Sequence, residues 1–161
     1  MRTARWIFAM ALALCGSLGN GQSAGAKGAE DIAVVVNSVN PTNDLSLSDL
    51  RRILMGERRF WGGNVQVRLA LRERGARERD QVLSKVLRMD NKEFAEHWRA
   101  KVFRGEATDE PLTLSSSATA FQYVKETPGG LSFIAAKNIP ADVKVLRIDG
   151  KLPGEAGYAL K

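Results

Sequence analysis

The sequence is poor in the residues that cross-link, ligate or catalyse. It holds one cysteine, Cys15, and one histidine, His97, among 161 residues. One cysteine allows no internal disulfide, and a lone histidine without a Cys or acidic cluster at ligand spacing reads as structural, so no metal site is expected. There is no Ser, His and Asp order of a hydrolytic triad and no Gly-x-x-x-x-Gly-Lys loop. A non-enzymatic protein without a cofactor is the expectation. Aromatics are scarce, at 7 %, and the 24 Lys and Arg are interleaved with 18 Asp and Glu instead of forming a basic block. That pattern argues against nucleic acid as a partner and leaves a small anion as the better fit to a net charge of +6. Long apolar runs are also missing. The longest, Trp6 to Leu14, falls well short of the roughly 18 to 20 residues that cross a bilayer, so no stable membrane insertion is expected.

That apolar run follows Arg2 and Arg5 and precedes Ala24-Gly25-Ala26, the pattern of an export signal. Residues 1–26 are therefore expected to be a signal peptide cleaved near Ala26, which makes the mature protein periplasmic or secreted. A lipoprotein would need a small residue before Cys15, and Leu14 stands there. About 135 residues remain, enough for one domain, and the only cysteine leaves with the signal. Residues 27–30 are small and polar and read as a flexible tail, with a single domain over 31–161.

Ile32 to Val36 is a β-branched run of the kind buried on both faces of a mainly parallel sheet. Ser46 and Asp49 form a capping pattern ahead of an apolar helical face, Leu47, Leu50, Ile53 and Leu54, that stops at Gly56. Arg51, Arg52, Arg58 and Arg59 around that helix read as solvated, and Trp61 as a core tether. Val65, Val67 and Leu69 alternate as a strand that runs into Arg72-Glu73-Arg74-Gly75, and a helix follows with Val82, Leu83, Val86 and Leu87 on one side. Asp90 and Glu93 cap a further helix closed by Gly105. One of Ser115, Ser116 and Ser117 should cap the next, which Thr127-Pro128-Gly129-Gly130 ends. Leu131 to Ala135 and Val143 to Ile148 read as two more strands, and the tail from Gly150 as frayed or packed at an edge. Strands alternating with amphipathic helices predict an α/β three-layer sandwich around a mainly parallel sheet. A strand, glycine, helix turn flanked by arginines presents N–H groups and a helix dipole to an anion, so Arg72, Gly75, Ala76, Arg77 and Arg79, with Ser115 and Ser116 from the second helix start, are the candidate oxyanion-binding residues. Arg72, Arg77 and Arg79 are predicted to converge there.

Three segments together resemble the phosphate ABC transporter substrate-binding proteins, a family with the type II periplasmic binding fold. IAVVVNSVNPTNDLSLSDLRRILMGE is similar to the family's crossing strand, Asn-Pro turn and helix; RERGARER sits where its anion loop belongs; TPGGLSFI is similar to its Thr-Pro-Gly-x-Ile-Gly-Tyr segment. The resemblance implies one lobe of the two that close on a ligand, chiefly the second, and implies phosphate or another small oxyanion at Arg72, Gly75 and Arg79. Ala76 and Glu78 stand where the family loop has Ser and Thr. Alanine cannot donate to a phosphate oxygen and glutamate repels one, so affinity is expected to be weak.

Two functions compete for this sequence. One is an exported phosphate- or oxyanion-binding protein serving an ABC permease. The other is a periplasmic interaction or sensory module that keeps the lobe, recognises another periplasmic protein and has given up transport-type ligand capture.

Overall fold

The structure, a computed structural model, describes residues 30–161, so the proposed signal peptide and nearly all of the tail after it lie outside the described residues. A five-stranded sheet forms the middle layer in the order β4-β3-β5-β1-β6. Its strands are β1 (Ile32–Val36), β3 (Arg68–Arg72), β4 (Leu112–Leu114), β5 (Gly130–Ala135) and β6 (Lys144–Val145). A two-stranded sheet joins β2 (Asp44–Leu45) to β7 (Arg147–Ile148). The helices are α1 (Leu47–Leu54), α2 (Arg77–Val82), α3 (Asn91–Phe103) and α4 (Ser117–Glu126), with α2 running on into a π-helical turn at Leu83–Leu87.

Helices cover both faces of the sheet. One face carries Ile32, Val34, Val36, Leu69, Leu71, Leu131 and Phe133 against α1, α2 and α3, while the other carries Ala33, Val35, Ala70, Leu114 and Ile134 against α4. Two-sided burial is why β1 is an unbroken apolar run, since both sets of alternating side chains meet a helical layer. The direction of β1 departs from the expected parallel pattern, because it runs antiparallel to both neighbours, β5 and β6. A run of Val and Ile specifies burial and carries no information on strand polarity. The fold remains mainly parallel in its pairings: β3 with β4, β3 with β5 and β2 with β7.

Local signals place the helices. Ser46 caps α1 by accepting the Asp49 N–H at 3.0 Å, and Gly56 ends that turn at φ +69°. Asp90 and Glu93 form a reciprocal capping box on α3. Asn37, at the end of β1, donates to the Val124 and Lys125 carbonyls and so satisfies the last turn of α4. Arg51 has a structural task that its solvated reading overlooked: its Nη1 donates to the Val86 and Leu87 carbonyls, at 3.0 and 3.2 Å, and ties α1 to the end of the π turn.

The stretch from Val143 to Ile148 does not act as one strand. Leu146 breaks it, so Lys144–Val145 pairs with β1 and Arg147–Ile148 with β2. Beyond Gly150 the chain packs back, burying Tyr158 and Leu160 beside β1.

Candidate functional site

Parallel pairing of β3 with β4 sets Arg72 opposite Leu114, so both strands end at the same edge of the sheet. Each strand then gives way to a turn and a helix. Two helix starts, α2 after Gly75 and α4 after Ser116, therefore stand side by side with Arg72 beside them. Gly75 turns the chain at φ +84°, a left-handed conformation that a side chain would strain. Ala76 is the N-cap of α2 and offers no side-chain hydrogen bond; its own N–H goes to the Glu73 carbonyl at 3.2 Å.

Arg72 reaches across to α4. It donates from Nη1 to Ser117 Oγ at 2.9 Å, from Nη2 to the Ser115 carbonyl at 3.1 Å and from Nε to the Leu114 carbonyl at 3.3 Å. Its Nη1 also lies 3.7 Å from Glu78 Oε1, and Ser117 Oγ donates to that same oxygen at 3.5 Å. The two charged side chains are largely enclosed, with 13 % of Arg72 and 11 % of Glu78 exposed. Glu78 sits in the first turn of α2, where a negative charge also meets the positive end of the helix dipole. This cluster is the electrostatic centre of the edge.

The remaining candidates divide. Ser116 is the N-cap of α4, accepting the Thr119 N–H at 3.0 Å while Thr119 Oγ1 accepts the Ser116 N–H at 3.0 Å, so its hydroxyl is committed. Ser115 contributes its carbonyl to Arg72, and its side chain is exposed. Arg77 turns to Glu30, donating to its carbonyl at 2.7 Å and pairing with its carboxylate. Arg79 is buried, donating to Asn91 Oδ1 at 2.6 Å and to the Arg72 carbonyl at 3.1 Å with its guanidinium 5.7 Å from the Phe94 ring centre.

The predicted convergence of Arg72, Arg77 and Arg79 is therefore absent, for a geometric reason. Alternation along β3 puts Arg72 with Ala70 on the α4 side, and successive helical positions 77, 78 and 79 point about 100° apart. Arg79 lands on the opposite side, in a cleft of about 260 Å³ shared with Arg74, Phe94, Trp98 and Thr113. Burial there, and then the nearby charge of Arg74, push the Arg79 guanidinium below the ordinary arginine range. Of the predicted residues, Arg72, Gly75, Ala76, Ser115 and Ser116 come together at one edge. Arg77 and Arg79 flank it.

Ser117 is the residue that sequence reasoning passed over as a contact. Its signal was present only indirectly, since a cap at Ser116 leaves the next hydroxyl free at the helix start. His97 fills the structural role expected of it, with Nε2 at 3.0 Å from the Met55 carbonyl. Among the described residues no group of His, Cys, Asp and Glu is placed to hold a metal ion, and no helix is long and apolar enough to cross a membrane.

No family model matches this sequence, and no curated protein does. Solved structures do resemble it. A phosphate ABC transporter substrate-binding protein from Clostridium perfringens, with phosphate bound, is 20 % identical with a TM-score of 0.63 over 76 % of this chain and 46 % of its own. An ABC-type phosphate transport receptor from Vibrio cholerae is 19 % identical with a TM-score of 0.62, over 76 % and 48 %. PstS from Borrelia burgdorferi is 15 % identical with a TM-score of 0.61, over 76 % and 49 %. The chain spans about half the length of each. In fold, this chain is similar to one lobe of the phosphate ABC transporter substrate-binding proteins.

Proposed function

We propose that the chain is an exported, non-enzymatic oxyanion-binding protein of the phosphate-transporter type, which holds phosphate weakly at the edge where β3 and β4 end. The observation that carries this reading is the placement of Arg72 between the starts of α2 and α4. A fixed guanidinium beside two sets of helix-terminal N–H groups is a chemically apt oxyanion site. In this reading Gly75, Ala76, Ser115 and Ser116 shape the rim, Arg79 holds the Arg72 backbone from behind, and Arg77 approaches the ligand by leaving Glu30. The chain would deliver its ligand to an ABC permease after export to the periplasm. A second lobe, from another subunit or another protein, would close the site and exclude water.

One observation favours a second reading, an interaction or sensory module without transport-type capture: the Glu78 carboxylate already engages Arg72 and Ser117. Calorimetric titration of the mature chain with phosphate and with sulfate separates the two. Saturable heat that vanishes in Arg72→Ala supports oxyanion binding. No heat with either anion supports the module.

A further inference from the structure

We infer that Glu78 is a resident anion, an intramolecular ligand whose carboxylate holds the contacts an incoming oxyanion would need at Arg72 and Ser117. This rests on the reading of that edge as an oxyanion site and names what controls it.

The direction of the donors decides which contacts an anion can take. Three of the five N–H groups of Arg72 are given to hydrogen bonds, from Nε to the Leu114 carbonyl, from Nη2 to the Ser115 carbonyl and from Nη1 to Ser117 Oγ, and the charge of Glu78 faces Nη1. Two of those three nitrogens donate to backbone carbonyls, which anchor the guanidinium plane. The side pointing to Nη1 is where an acceptor from outside the backbone can come, and Glu78 Oε1 is there at 3.7 Å, with the Ser117 hydroxyl donating to the same oxygen at 3.5 Å. The carboxylate thus combines a guanidinium, a hydroxyl and the positive start of α2, a set of partners suited to an oxyanion oxygen.

Enclosure makes the contact selective. A salt bridge on an open surface yields to competing ions at little cost, but removing one partner of an enclosed pair strands the other charge. An anion entering without displacing Glu78 would sit against a carboxylate in a poorly solvated place, and one that displaces it must offset the loss of the resident pair. The site therefore resists dianions in proportion to how well Glu78 stays seated. Its effect on affinity is competitive, and it should be relieved by removing the charge.

The test is a calorimetric titration of inorganic phosphate into the mature chain and into Glu78→Thr, Glu78→Gln and the double variant Arg72→Ala/Glu78→Thr. Glu78→Thr should bind phosphate at least about tenfold more tightly than the parent, in keeping with one charge-assisted hydrogen bond formed and one repulsion removed. The double variant should lose that gain. Glu78→Gln keeps the side-chain volume and carries the test if the threonine variant fails to fold. Binding by Glu78→Thr with none by the parent supports the resident anion while denying phosphate binding to the natural chain. Equal binding by the parent and Glu78→Thr, lost in the double variant, overturns the resident anion and leaves the oxyanion reading standing. A folded Glu78→Thr that binds no phosphate overturns both.

Discussion

The Tyr158 hydroxyl donates to the Ile32 carbonyl at 2.7 Å, and the Ile32 N–H donates to the Leu160 carbonyl at 2.7 Å. The C-terminal segment is thereby strapped to the first residue of β1. Burial, and then the negative charge of Asp31, raise the Tyr158 phenol well above its ordinary range. In the unfolded chain the phenol ionises near pH 10, while in the fold it stays protonated to higher pH. Its contribution is therefore complete below about pH 10 and is lost as pH rises above that, by up to about 1.4 kcal/mol per pH unit. Urea unfolding from pH 9 to 11.5 should show this decline. Tyr158→Phe should cost about 1 kcal/mol at neutral pH and flatten the alkaline slope.

Gly129 and Gly75 should respond very differently to alanine. A methyl group at Gly129 would lie 1.9 Å from the Gln66 carbonyl oxygen, a backbone atom in the loop that leads into β3. The Gly129 carbonyl also receives the Arg68 N–H at 2.8 Å and the Trp61 indole N–H at 3.0 Å, so moving it breaks two more contacts. Gly129→Ala should destabilise by roughly 3 kcal/mol or more. Among the described residues nothing beyond its chain neighbours lies within 4 Å of a methyl group added at Gly75, so Gly75→Ala carries only the strain of φ +84°, about 1 kcal/mol. Denaturant midpoints on the two variants would check the contrast.

Arg79 is a structural arginine whose loss reaches the neighbouring site. Arg79→Met keeps apolar bulk against Phe94 yet deprives Asn91 Oδ1 and the Arg72 carbonyl of their donor. A cost of about 2 to 3 kcal/mol is expected, from two half-buried acceptors losing a charged partner. Arg79→Lys should recover only part, because one ammonium cannot reproduce two diverging guanidinium bonds. Thermal unfolding of the pair of variants decides it.

The elements most legible in the sequence are those whose local chemistry is self-sufficient. Ile32 to Val36, the Ser46 cap, the Asp90 and Glu93 box and the Gly105 stop all occur where their residues place them. Short strands left no such mark. Leu112–Leu114 is three residues between Pro111 and Ser115, too few to show a period, and its pairing with β3 is long-range. That one pairing builds the site, because it sets α4 beside Arg72. The loop from Arg72 to Arg79 was legible as a strand, glycine and helix turn, but the direction of each arginine was not. Direction follows from which helical layer covers each face, and that is a property of the whole fold.

At Ala76, stability and ligand affinity can be read from the same change. Ala76 is the N-cap of α2 without a side-chain hydrogen bond, so Ala76→Ser should stabilise the chain by about 0.5 to 2 kcal/mol with no ligand present. A serine hydroxyl both accepts from the helix and donates outward, so the same variant should tighten phosphate binding, most of all when combined with Arg77→Gly and Glu78→Thr. The parent protein, with Arg72 facing its own Glu78 carboxylate, should bind phosphate only at micromolar to millimolar levels. That binding should fall as salt is raised to about 0.5 M, because the long-range attraction of a basic protein for a dianion is screened on its way in, even though the Arg72 and Glu78 side chains are themselves largely enclosed. Titration calorimetry across a salt series checks each step. Submicromolar, salt-insensitive phosphate binding by the unmodified chain would place the ligand somewhere other than the Arg72 edge.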